Sequence, residues 1–197
     1  MTQAAFILLA YLLGSISFGI LVSRAFGLPD PRTVGSGNPG ATNVLRSGKK
    51  LPAILTLLGD AAKGWLAVFL AQHYGLQNGY ICLAGLAAFI GHLYPVFCGF
   101  KGGKGVATAL GVLLAFSGWL GLSVLIVWAI AFALWRYSSL AALIAAGIAP
   151  ISAWFLLSYK GYAVTALILA LLLVWRHKSN IQKLLSGTES GFSKKVN

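Results

Sequence analysis

Seven apolar stretches, at residues 4–23, 52–72, 80–98, 105–117, 119–135, 139–157 and 161–175, leave little of this chain able to fold in water. A helix needs about 20 apolar residues to cross a hydrocarbon core of roughly 30 Å, and most of these stretches approach that length. Only 9% of the residues are charged, against roughly 25% in soluble domains, so lipid must be the solvent. The expected fold is an all-α polytopic membrane protein with seven transmembrane helices. The segment before Phe26 has no basic n-region and no A-x-A site, and reads as a first transmembrane helix, not a cleaved leader.

The stretch from Val106 to Trp135 is almost unbroken, with Ser117-Gly118 its only interruption. Charge decides between one span and two. Lys101 and Lys104 precede it and Arg136 follows it, and two short spans return all three to one face. With the N-terminus outside, Arg24, Arg32, Arg46, Lys49 and Lys50 fall in a first inner loop, and Lys101 and Lys104 in a second. Arg136 belongs to a third, and Arg176, Lys178, Lys183, Lys194 and Lys195 to the tail. Only Lys160 lies outside, with Lys63 inside a helix. The positive-inside rule therefore places the N-terminus in the periplasm and the C-terminus in the cytoplasm. The chain reads as one transmembrane domain, residues 1–197, with residues 177–197 as a cytoplasmic tail.

Fifteen Lys and Arg face three acids, Asp30, Asp60 and Glu189. Such a balance suits anionic lipid better than nucleic acid, because the cations punctuate spans instead of forming a soluble face. Cys82 and Cys98 lack metal-ligand spacing, and neither a structural disulfide nor a zinc site is expected. Asp60 and Lys63 stand one turn apart and are expected to pair within the membrane.

The outer connections are short and bland, whereas the inner ones carry glycine, small polar residues and cations. The first inner loop contains GSGNPGATNVLR; its G-x-G-x-x-G follows no strand, so a dinucleotide fold is excluded. Its glycines can still offer backbone N–H groups to an anion, and Ser36, Asn38, Thr42, Asn43 and Arg46 add donors. The second, GFKGGKGVAT, runs into an apolar helix whose start favours phosphate, and it lacks the Walker A spacing. In the tail, His177, Asn180, Ile181 and Leu184 share one helical face. His92 beside Pro95, and Arg136 beside Ser138 and Ser139, lie at inner helix ends.

Cationic, donor-rich segments on one membrane face suit a ligand with one or two phosphates. Too few carboxylates are present to hold magnesium for a phosphatase or kinase. No G-x-S-x-G elbow is present, and no His is followed by Asp at the H-x-x-x-x-D spacing of one large class of glycerolipid acyltransferases. A transporter for small phosphate-bearing anions is the alternative, disfavoured because the outer halves of the spans offer no polar route.

Four segments, GSISFG (14–19), GSGNPGATNVLR (35–46), GHLYPVFCGFKGGKGVAT (91–108) and HKSNIQKLLSGTE (177–189), resemble the motifs of the PlsY family. These are the bacterial acyl-phosphate-dependent glycerol-3-phosphate acyltransferases. The likeness extends over almost the whole chain; Ser17 departs from it, standing where many relatives have proline.

The resemblance implies transfer of a fatty acyl group from acyl-phosphate to the sn-1 hydroxyl of glycerol-3-phosphate, as a first acylation step of phospholipid synthesis. The products would be lysophosphatidic acid and inorganic phosphate. It implies no cofactor and no metal, membrane lipid as surroundings, and a bacterial inner membrane with the site facing the cytoplasm. Because the donor is an activated mixed anhydride, positioning and charge stabilisation suffice without a covalent intermediate. The leaving phosphate falls to Ser36, Gly37, Asn38 and Thr42 of one loop, with Asn43 nearby, and to Gly102, Gly103, Lys104 and Thr108 of the other. Arg46, Lys104, Ser139, His177 and Asn180 would clamp glycerol-3-phosphate, with Glu189 beside them. The base is His177 or a substrate phosphate oxygen.

Overall fold

The computed structural model describes residues 2–192; Lys194 and Lys195, counted above in the tail, lie outside the described residues. Among those residues the regular structure is helical, and the chain divides into two compact units, residues 1–116 and 117–197.

The first unit holds α1 (Gln3–Gly14), α2 (Phe18–Ala25), α3 (Ala41–Leu45), α4 (Lys50–His73), α5 (Asn78–Leu93) and α6 (Val106–Phe116), with a 3-10 turn at Val96–Cys98. Thr2 caps α1 by accepting the Ala5 N–H at 3.3 Å. A single span over residues 4–23 was expected, but α1 and α2 are bent by 42° about Ser15, Ile16 and Ser17. The Ser15 hydroxyl donates to the Tyr11 carbonyl at 2.9 Å, the back-bond that bends helices, and Ser17 is extended. The bend frees the Ile16 carbonyl, which accepts from Lys63 Nζ at 2.6 Å.

Small residues set the spacing of these helices. A Cβ on Gly14 would collide with the Ala88 carbonyl of α5, and one on Gly91 with the Tyr11 carbonyl of α1. Between α4 and α6 the same holds for Gly64 against Thr108 and Gly111 against Ala61. Lipid is as apolar as leucine, so such close van der Waals packing is what favours helix association there.

The second unit holds α7 (Gly118–Trp135), α8 (Ser138–Leu156), α9 (Gly161–Arg176) and α10 (Lys178–Leu185). Ser117 caps α7, its hydroxyl accepting the Leu120 N–H at 3.4 Å, so the 106–135 run is two helices. Alanines such as Ala142, Ala146, Ala149 and Ala153 make the buried seam of α8, and Ala163, Ala166 and Ala170 that of α9. Lys160 closes the end of α8 by donating to the Trp154 and Leu157 carbonyls at 2.6 and 3.2 Å.

Among the described residues, four segments are long and apolar enough to cross a membrane: Lys50–His73, Asn78–Cys98, Gly118–Trp135 and Ser138–Leu156. The bent pairs α1–α2, at 42°, and α9–α10, at 61°, bring the number to six. The remaining apolar segment, α6, has 11 residues, or about 16 Å at 1.5 Å per residue, well short of a hydrocarbon core. Length and composition thus give four to six spans where the sequence suggests seven.

Candidate active site

The first Gly-rich loop is tied together by one side chain. Asn43, at the start of α3, is buried; its Oδ1 accepts the Ser36 N–H at 2.9 Å, and its Nδ2 donates to the Pro31 and Val34 carbonyls at 2.8 and 3.0 Å. Those partners fix which end of the amide is oxygen. Gly35 takes φ +58°, and a Cβ there would strike Asn43 Oδ1, so two constraints demand glycine. Asp30 and Arg32 form a bidentate pair, with Nη2 to Oδ2 at 2.6 Å and Nε to both oxygens at 3.1 Å. The guanidinium hydrogen bonds hold the Asp30 carboxyl below its ordinary pKa. Arg32 is thereby occupied, while Ser36 and Arg46 are exposed and Asn38 and Thr42 half-buried.

The second loop folds back on the end of α5. Pro95 accepts from the Cys98 and Phe100 N–H groups at 3.0 and 2.9 Å, and Gly99 and Phe100 both take positive φ. The Gly103 N–H donates to the His92 carbonyl at 3.1 Å. A Cβ on Gly102 would collide with that carbonyl, and one on Gly103 with the His92 ring. Sequence reasoning assigned these glycines to close approach by a ligand; in the structure their close neighbour is α5 itself. Lys104 is half-buried. Thr108 is fully buried in the first turn of α6, and its hydroxyl has no hydrogen-bond partner among the described residues.

In the second unit, three of the expected residues meet on one oxygen. Ser139, at the start of α8, donates to Glu189 Oε1 at 2.5 Å, and Asn180 Nδ2 donates to the same atom at 2.7 Å. His177, between α9 and α10, is buried, with Nδ1 2.8 Å from the Leu173 carbonyl. A carbonyl only accepts, so Nδ1 carries the hydrogen and the neutral ring has its lone pair at Nε2.

Glu189 reaches this cluster because the chain turns back after α10. Gly187 takes φ +69°, and the Thr188 and Glu189 N–H groups donate to the Lys183 carbonyl at 2.8 and 3.2 Å. Further on, the Phe192 N–H donates to the Arg136 carbonyl at 3.0 Å, and its ring meets Phe132 edge-on at 5.6 Å. Sequence reasoning missed Phe192, although an aromatic residue alone in a polar tail is a docking signal. It took His92, at a helix end, as a residue to complete a site there; in the structure its carbonyl and ring hold the second loop.

A sequence profile described as glycerol-3-phosphate acyltransferase matches residues 4–187. A glycerol-3-phosphate acyltransferase of Methylobacillus flagellatus is 69% identical over 195 residues, covering 99% of this chain and 100% of the relative. One of Nitrosospira multiformis is 58% identical, covering 99% and 98%. A crystal structure of PlsY (YgiH), an integral membrane glycerol 3-phosphate acyltransferase in its glycerol 3-phosphate form, superposes with a TM-score of 0.92 at 40% identity, covering 97% of this chain and 96% of that one. Its lysophosphatidic acid form gives 0.91 at 38% identity, covering 97% and 95%. This chain is an all-helical, multi-pass integral membrane protein that belongs to the PlsY family of glycerol-3-phosphate acyltransferases, enzymes of class 2.3.1.

Proposed function

We propose that this enzyme takes its acyl group from acyl-phosphate and transfers it directly to the sn-1 hydroxyl of glycerol-3-phosphate. The hydroxyl oxygen forms a bond to the acyl carbonyl carbon, the carbon–oxygen bond to phosphate breaks, and the products are lysophosphatidic acid and inorganic phosphate. Support for the acceptor and product comes from the related PlsY structures, described as glycerol 3-phosphate and lysophosphatidic acid forms.

The observation that carries the mechanism is the tautomer of His177. With Nδ1 held by the Leu173 carbonyl, Nε2 is the basic nitrogen that takes a hydroxyl proton. The leaving phosphate needs that proton and accepts it from the ring, or directly from the hydroxyl where phosphate itself is the base. Ser139 gives its hydroxyl to an oxygen that Asn180 also occupies, which makes it a tied member of a cluster and not a nucleophile beside a dedicated base. Ser36, Arg46 and Lys104 supply donors and charge for phosphate oxygens, Arg as a fork and Lys as a point charge. The site faces the cytoplasm in this reading, because the inner loops carry almost all the cations.

The test is turnover by protein reconstituted in lipid. Palmitoyl-phosphate with glycerol-3-phosphate should give lysophosphatidic acid and phosphate in equal amounts, and palmitoyl-CoA should give none. Lys104→Ala should lose roughly a hundredfold or more in kcat/KM, the scale of removing one preorganised charge contact. His177→Ala should lose rate most at neutral and higher pH, where the ring is neutral, if the ring is the base, and uniformly if it only binds. Turnover with the thioester would overturn the donor assignment, and an acyl-enzyme burst the direct transfer.

A further inference from the structure

Beneath the second Gly-rich loop, within the first unit, lies a buried polar network to which the mechanism gives no role. Lys63 Nζ stands 2.8 Å from Asp60 Oδ1 and donates to the Ile16 carbonyl at 2.6 Å. His92 Nδ1 lies 3.6 Å from the same Asp60 oxygen, an electrostatic contact longer than a formed hydrogen bond. All three side chains are buried.

Ion pairs inside a membrane are often there simply because an unpaired charge is not tolerated. Here the connections extend past the pair. Through Ile16, Lys63 holds the break between α1 and α2, and α2 in turn packs against the first Gly-rich loop, where a Cβ on Gly19 would strike the Pro39 carbonyl. Through His92, Asp60 reaches the second loop: the His92 carbonyl accepts from Gly103, and its ring fills the space a residue-103 side chain would need. One carboxylate oxygen is thus linked to the supports of both loops.

We propose that Asp60, Lys63 and His92 form a buried positioning network, with His92 the residue on which the Gly102–Gly103–Lys104 backbone rests. The inference rests on the acyl-transfer reading above, because the position of Lys104 is read through its substrate. Gly102 and Gly103 give this stretch little stiffness of its own, so a fixed Lys104 requires a fixed seat. Asp60 and Lys63 hold the ring from below, and the ring holds the loop. None of the three touches substrate.

The experiment is a double-mutant cycle between His92→Ala and Gly103→Ala, with kcat and the KM for glycerol-3-phosphate measured on folded, lipid-reconstituted protein. Gly103→Ala leaves Asp60 and Lys63 untouched but pushes the loop off the ring; the KM should rise roughly tenfold to a hundredfold, the scale of an ångström's misplacement. In the His92→Ala background the space exists, so adding Gly103→Ala should change little, and the two losses should not add. If His92→Ala fails to fold, Gly103→Ala decides alone by the split between KM and kcat. An unchanged KM in folded Gly103→Ala, or strictly additive losses, would overturn the network. An inactive wild type would instead bring down the acyl-transfer reading, and this inference with it.

Discussion

Asn43 shows how one side chain can define a loop. Three hydrogen bonds join it to Ser36, Pro31 and Val34, all in the stretch that leads into α3. At about 0.5–1.5 kcal/mol each, their loss in Asn43→Ala should destabilise the loop by roughly 2–4 kcal/mol. Asn43→Asp should be worse, because a carboxylate keeps the Ser36 contact but faces two carbonyls with no hydrogen to offer. Thermal unfolding in micelles should rank Tm as wild type, then Ala, then Asp; an Asp variant as stable as the wild type would show the amide is oriented otherwise. The candidate residue types were visible in the sequence, since Ser36, Arg46, Lys104 and Asn180 are donors on segments that the charge pattern places inside. Their division of labour was not. An amide in a Gly-rich loop offers the same groups to a ligand as to its own backbone, and only coordinates separate Asn43 from Asn38. Glu189 was noticed for its rarity, yet its task depends on Ser139 and Asn180 reaching a single oxygen.

Among the elements, glycines of identical type have opposite consequences. Gly111 of α6 lies against the Ala61 carbonyl of α4, backbone that cannot yield, whereas Gly147 of α8 has open space around a built Cβ. Gly111→Ala should force the helices apart and destabilise by about 1–3 kcal/mol. Gly147→Ala should stabilise by roughly 0.5–1 kcal/mol through helix propensity alone. Opposite shifts in Tm for these two methyl additions would verify the helix spacing; equal shifts would contradict it. Apolar runs and cation placement revealed where the helices lie and that residues 106–135 divide. The break at residues 15–17 was hidden, because serine sits comfortably within membrane helices and bends one only where its hydroxyl finds the carbonyl a turn back. The shortness of α6 was legible, since residues 105–117 fall below the length of a span.

For the molecule as a whole, orientation is the property still to be measured, and the native cysteines report on it. Cys98 is half-buried in the second Gly-rich loop, and Cys82 is buried in α5. A membrane-impermeant maleimide should label Cys98 in inside-out vesicles and spare it in right-side-out ones, with Cys82 unlabelled in both. The reverse pattern at Cys98 would invert the topology. Lys160, the cation expected outside, is absorbed by the α8 carbonyls and lies 4.9 Å over the Trp154 ring. That local task accounts for an exception to the charge rule. The Ser139–Glu189 contact has a consequence in time. Its partners are fifty residues apart in the chain, an interval of roughly 3–10 s at ribosomal speeds. For most of that interval α8 is already made, while the hydroxyl in its first turn waits for an acceptor not yet synthesised. The cluster of Ser139, Asn180 and Glu189 is therefore completed only once the turn after α10 has closed.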